Sequence, residues 1–145
     1  MKLLLVGELF WQNTEFDKLI GNYKYRDDVV VVADASLVNE SHIVASAYAY
    51  IQPYAFHNFL FSFDAICSGV PALIVNSPGK ELFSEAAIYF EPDNPADMAD
   101  KMMLIYKDES LRSQLIEKSK KINSNYTWEI TINTVGQHLQ LSGTN

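Results

Sequence analysis

The sequence predicts an α/β fold: an open, doubly wound, Rossmann-like parallel sheet with a helical C-terminal tail. Three observations predict it. Short apolar runs rich in β-branched residues recur along the chain and stop at Gly, Asp or Pro. Segments of about ten residues with helical spacing separate them, and such alternation implies parallel pairing through right-handed crossovers. After the fifth run the strand signals cease and only helical patterns remain. A length of 145 residues suits one domain that hides roughly 70% of its unfolded surface. Neither an internal repeat nor a linker is visible, so residues 1–145 read as a single domain.

The elements follow in order. "KLLLVG" (Lys2 to Gly7) is a continuous apolar run ended by glycine, the pattern of a strand covered on both faces. Thr14, then Phe16, Leu19 and Ile20 at helical spacing, predicts a helix to about Tyr23. "VVVVAD" (Val29 to Asp34) is a second buried strand, and a helix follows over Ser36 to Ser46. "AYAYIQP" (Ala47 to Pro53) reads as the third strand, the segment from Phe59 to Ser68 as a helix stopped by Gly69 with Pro71 beyond, and "ALIV" (Ala72 to Val75) as the fourth strand. "AIYFEP" (Ala87 to Pro92) is the fifth. Asn94 at a cap and Pro95 in the first turn begin a helix with Met98, Met102, Met103 and Ile105 as expected core. "ESLRSQLIEKSKKI" and "TWEITINTVGQHLQL", the latter capped by Thr127 and anchored by Trp128, complete the tail.

Composition narrows the function. A formal charge of -7 disfavours nucleic acid and anionic membranes, which are met by clustered Lys and Arg. The content of 48% hydrophobic and 12% aromatic residues belongs to a folded protein. No stretch reaches the roughly 20 apolar residues of a transmembrane helix, and the apolar start lacks a signal-peptide cleavage site. The single Cys67 cannot form an internal disulfide and suits packing in a reducing, cytoplasmic setting. No Cys/His spacing suggests a metal. His42 and His138 read as surface residues, and the Asn39 and Asn125 triplets as chance glycosylation patterns.

In a doubly wound sheet, ligands bind outside the carboxyl ends of the strands. The loops that follow strands are "GELFWQN", "ADAS", "PYAFHN" and "NSPGKE". "PYAFHN" opens the helix bearing Asp64, the one carboxylate inside the apolar run "FSFDAICSGVPALIV". A helix start offers unpaired amides to a phosphate, and a carboxylate nearby has two oxygens for vicinal hydroxyls such as those of a ribose. An ordinary solvent-facing aspartate fits the same position. Phe10 and Trp11 suit either a base-stacking wall or a cover for an open sheet edge.

The order "P-x-x-F-H-N-F", "D-A-I-C-S-G-V-P", then "E-L-F-S-E-A-A-I-Y-F-E-P-D-N-P" resembles the C-terminal half of the group 1, or family 4, glycosyltransferases of GT-B fold. There, "E-G-F-G" and "E-A-M-A-C-G-V-P" precede "P-E-V-x-G-D-A-A-L-Y-F-D-P" and a helix "D-P-x-x-L-A". "NYTWEIT" likewise matches the family's "F-S-W-E-x-T", so the resemblance covers nearly the whole chain.

The resemblance implies a donor-binding domain. Paired with an acceptor domain, it transfers a hexose from a nucleoside diphosphate sugar with retention of configuration, using no cofactor and no metal. It puts Asp64 on the ribose, and His57, Asn58, Phe59 and Leu60 beside the diphosphate. Glu81, which also suits a helix cap, falls on the sugar. His57 and Glu81 take the positions nearest the chemistry.

Three departures bear on activity. The family's paired acids are eight apart, whereas His57 and Asp64 are seven apart. "NFL" replaces the "G-F-G" whose glycines allow close backbone approach. The first strand of the family's half, with its "G-R-x-x-x-x-K" loop, does not precede "KLLLVG", and Lys2 and Lys80 do not reproduce that cationic pair. The isolated chain is therefore expected to be inactive alone, with an acceptor-domain chain or a second copy as partner. The alternative expectation is a catalytically silent remnant that serves as a binding or interaction module.

Overall fold

The computed structural model describes residues 1–7, 14–33, 37–54 and 60–142. They fall into two compact units, Met1–Ile43 and Val44–Asn145.

In the first unit, β1 (Leu3–Gly7) and β2 (Val29–Ala33) pair in parallel from Leu3 opposite Val29 to Gly7 opposite Ala33. α1 (Thr14–Asn22) connects them, and α2 (Leu37–Ala45) follows β2. These strands are not covered on both faces as the continuous apolar runs suggest. Leu3, Leu4, Val6, Val30 and Val31 are each more than a third exposed, and Leu19 of α1 is 72% exposed. No described side chain of residues 1–43 is fully buried. A run of Val and Leu specifies extended backbone through side-chain shape, but coverage depends on what packs above it.

The second unit holds the core. β3 (Tyr50–Gln52), β4 (Ala72–Val75) and β5 (Ala87–Phe90) form a parallel sheet with β4 central. Tyr50 and Ala87 flank Ala72, and Gln52 and Tyr89 flank Ile74. α3 (Leu60–Cys67) joins β3 to β4, while α4 (Pro95–Lys107), α5 (Glu109–Asn125) and α6 (Trp128–Ser142) follow β5. Every residue of β4 is buried, because both faces of the sheet are covered. On one face Ala72, Ile74 and Ala87 meet Ile66 of α3, Phe83 and Ile122. On the other, Leu73, Val75 and Phe90 meet Ile105 and Leu115, with Met98 and Met102 packed alongside.

Helix ends follow from local chemistry. The α3 stop is a Schellman motif: Gly69 has φ 73°, its amide donates to Ile66 O at 3.0 Å, and Val70 N donates to Ala65 O at 2.8 Å. Only glycine adopts that φ without strain, and Val70 packs against Ala65 as the motif requires. At α4 the Asn94 side chain accepts from Asp97 N at 3.1 Å with Pro95 in the first turn. Asn94→Ala is expected to cost about 1 kcal/mol, read as a lower urea midpoint at unchanged slope. Asp108 caps α5 through Leu111 N at 2.8 Å, and Thr127 caps α6 through Ile130 N at 3.3 Å.

Two packing expectations fail. Met103 is 46% exposed, since it lies one residue beyond Met102 and about 100° around the helix from it. Cys67, the last residue of α3, is exposed rather than packed. His42 and His138 are exposed, as expected. Among the described residues, no helix is long and apolar enough to cross a membrane.

Candidate functional site

Because β3, β4 and β5 are parallel, their carboxyl ends share one edge of the sheet, and α3, which crosses back from β3 to β4, opens at that edge. Side chains alternate along a strand, so the face carrying Tyr50, Ile74 and Tyr89 continues past the strand ends as a polar row. Asn76 extends the ladder by donating its amide to Phe90 O at 2.8 Å. Its Nδ2 donates to Glu91 Oε1 at 3.0 Å, and its Oδ1 accepts from Lys80 Nζ at 2.7 Å. On the β3 side, the Tyr50 hydroxyl donates to Gln52 Oε1 at 2.6 Å, and Gln52 Nε2 donates to Tyr54 O at 3.2 Å.

Asp64 lies in the second turn of α3, half-buried. Tyr50 and Cys67 both feel its charge: the Tyr50 phenol is pushed up to about 12 by burial first, with Asp64 adding to it and the nearby Ser62 hydroxyl opposing. Ser62 Oγ is buried and makes no hydrogen bond among the described residues. Burial, then Asp64, also raises the Cys67 thiol.

Glu81 sits in a short 3-10 turn, Lys80–Leu82, after β4. Its Oε2 accepts from Gly79 N at 3.0 Å, so the capping role is realised in the structure. Gly79 has φ 97°, a backbone conformation that lets the chain reverse tightly after Pro78. Tyr89 lies below: its hydroxyl is 2.9 Å from both Lys80 O and Ser84 O. Burial, and then the Glu81 charge, push the Tyr89 phenol up to about 12. Two carboxylates, Asp64 and Glu81, therefore each border a tyrosine on the same sheet face, one from β3 and one from β5.

Leu60, the first residue of α3, is 51% exposed. His57, Asn58 and Phe59, together with Phe10 and Trp11, lie outside the described residues. Among the described residues, no group of three His, Cys, Asp or Glu side chains could hold a metal ion. A half-open depression of about 240 Å3 lies at the far end of α3, lined by Cys67, Gly69, Ser119 and Lys120 among others. It is not at the strand tips.

Tyr50, Gln52, Asn76, Tyr89 and Glu91 escape a search for motifs. A period-two signal marks them: in "YIQ" and "IYFE" the polar residues alternate with Ile51, Ile88 and Phe90, which face the other half of the core. Following that alternation one residue beyond each strand finds the row.

No protein-family profile matches the chain, and no curated protein matches it by sequence. Its fold is similar to that of the sucrose-phosphate synthase of Thermosynechococcus elongatus, with a TM-score of 0.82 over 99% of this chain at 19% identity. The chain spans 39% of the length of that protein. Its fold is Rossmann-like and mixed α/β with parallel sheets.

Proposed function

We propose that this glycosyltransferase-like domain binds a nucleoside diphosphate sugar and serves as the donor half of a transferase. The observation that carries the reading is Asp64: a half-buried carboxylate in the second turn of the helix that opens at the carboxyl edge of a parallel sheet, in a fold similar to that of a sucrose-phosphate synthase. A carboxylate there accepts two hydroxyl hydrogens at once, as a ribose supplies them. His57, Asn58, Phe59 and Leu60 take the diphosphate, as the family resemblance implies, and Glu81 takes hydroxyls of the sugar. Transfer of the hexose with retention then requires an acceptor domain, from elsewhere in a longer chain or from a partner. The protein works in the cytoplasm without a metal, and residues 1–145 act as one domain.

Calorimetric titration of the whole chain with uridine and guanosine diphosphate sugars tests the reading. The expected result is saturable binding that weakens about 10- to 100-fold in Asp64→Ala, the loss of one or two hydrogen bonds to a charged group. A second reading, a silent interaction module, is favoured by the exposed Leu3, Leu4, Val6, Val30 and Val31 of the β1–β2 pair and by Ile132 and Leu139 of α6, 65% and 67% exposed. No heat at millimolar ligand, together with oligomers in solution, would establish it in place of the first.

A further inference from the structure

We propose that Lys80, posted by Asn76 and Glu91, is the cation that binds the diphosphate of the donor; the inference rests on the nucleotide-binding reading above. A diphosphate held at a strand edge carries two or more negative charges, and a protein of net charge -7 must bring a cation there to hold it. Lys80 has the placement. Its ammonium is 2.7 Å from Asn76 Oδ1, and Asn76 is the residue that follows β4. That puts the charge at the carboxyl tip of the central strand.

Three features distinguish this lysine from a solvated one. First, it is only partly exposed, and its side chain runs over the Tyr89 ring, with Nζ 6.0 Å from the centroid. Tyr89 in turn holds the Lys80 backbone through its hydroxyl, 2.9 Å from Lys80 O. Both ends of the residue are therefore fixed. Second, Asn76 is itself oriented: Nδ2 donates to Glu91 Oε1 at 3.0 Å, which turns Oδ1 toward the ammonium. Third, no carboxylate among the described residues pairs directly with it. Lys101, Lys118 and Lys120 pair with Asp97, Glu85 and Glu117, whereas Lys80 forms no ion pair among the described residues. Its printed partner is a neutral amide oxygen, although Glu81 is adjacent in sequence. The Glu81 carboxylate is turned to Gly79 N.

An ammonium has three donors, and one bond to Asn76 leaves the others for phosphate oxygens. Gln52 and Tyr89 flank Ile74 in one rung, so β3 and β5 are two interstrand spacings apart, roughly 10 Å. The Lys80 ammonium, bonded to the residue that follows β4 between them, is in reach of a diphosphate bound at that edge.

Calorimetry with uridine, guanosine and their diphosphates separates this inference from the reading it rests on. In Lys80→Met the affinity for the diphosphates should fall at least tenfold, that for the free nucleosides should hold, and the salt dependence of diphosphate binding should flatten. Lys80→Arg should restore most of the loss. Asp64→Asn should weaken nucleosides and diphosphates alike. If Lys80→Met leaves diphosphate affinity unchanged, or weakens nucleosides equally, the inference is overturned while the reading stands. If the unaltered chain binds none of the four, both fall. Should Lys80→Met melt early, Asn76→Ala decides: selective weakening of diphosphates supports the proposal, and unchanged diphosphate affinity overturns it.

Discussion

Phe83→Ala is expected to lose about 3–5 kcal/mol of stability, the range for truncating a fully buried aromatic ring. Phe83 is the largest of the wholly buried side chains, with no exposed surface. Its ring packs against that of Phe63 of α3, 4.8 Å between centroids and tilted by 55°, and it shares a cluster with Ile66, Ile74, Ala86 and Ile122. The cavity left behind cannot close easily. The backbone around it is tied on both sides, Phe83 N to Lys80 O at 3.0 Å and Ala86 N to Phe83 O at 2.9 Å. Guanidinium unfolding of the variant should show a large drop in midpoint with little change in slope. A loss below about 1 kcal/mol would mean that the ring is not the keystone of this face. Because Phe83 follows directly on the Lys80–Leu82 turn, the same variant should also weaken any ligand held by Lys80, without touching it.

Between pH 10 and 12 the fold should lose stability steeply. Tyrosine ordinarily titrates near 10, and burial, assisted by a carboxylate in each case, raises Tyr50 and Tyr89 to about 12. The sign follows from linkage. Below pH 10 both phenols are protonated whether the chain is folded or not, so they contribute no slope. From 10 to 12 the unfolded chain gives up protons that the folded chain keeps, which favours unfolding as pH rises. Above about 12 both states are ionised and the loss is complete. Urea midpoints measured at pH 9, 10 and 11, beside the absorbance of the phenolates, should show the decline. Tyr50→Phe should make it shallower; an equally steep decline in Tyr50→Phe and Tyr89→Phe would show that other groups control it.

Much of the second unit was legible because its signals are local. β4 has the predicted bounds, Ala72 to Val75, and the Gly69 stop and the Asn94 cap each rest on a single residue acting on its own neighbours. β3 is shorter than the apolar segment suggests. Ala47 still belongs to the turn closing α2, with its amide bonded to Val44 O at 3.1 Å, and only Tyr50–Gln52 pair with β4. What composition could not disclose was coverage. Leu4 and Val31 are as apolar as Leu73 and Ile74, yet the first pair is about two-fifths exposed and the second is wholly buried. Cover is supplied by distant parts of a chain or by other molecules, and no short window encodes it.

The candidate site divides in the same way. Asp64 stands out in sequence as a lone acid in an apolar run, and it is half-buried in the second turn of α3. Lys80 is unremarkable in "NSPGKE", and only Asn76 and Tyr89, four residues before it and nine after, give its ammonium a fixed post.

The uneven burial of the two units implies two clocks in one chain. Amide protons of β4, sealed on both faces, are released only by opening the whole of residues 44–145. Those of β1 and β2, beneath half-bare leucine and valine, escape through fluctuations that cost far less. Proteases that reach such openings would nick the β1–β2 pair long before the sheet built on β4 lets go.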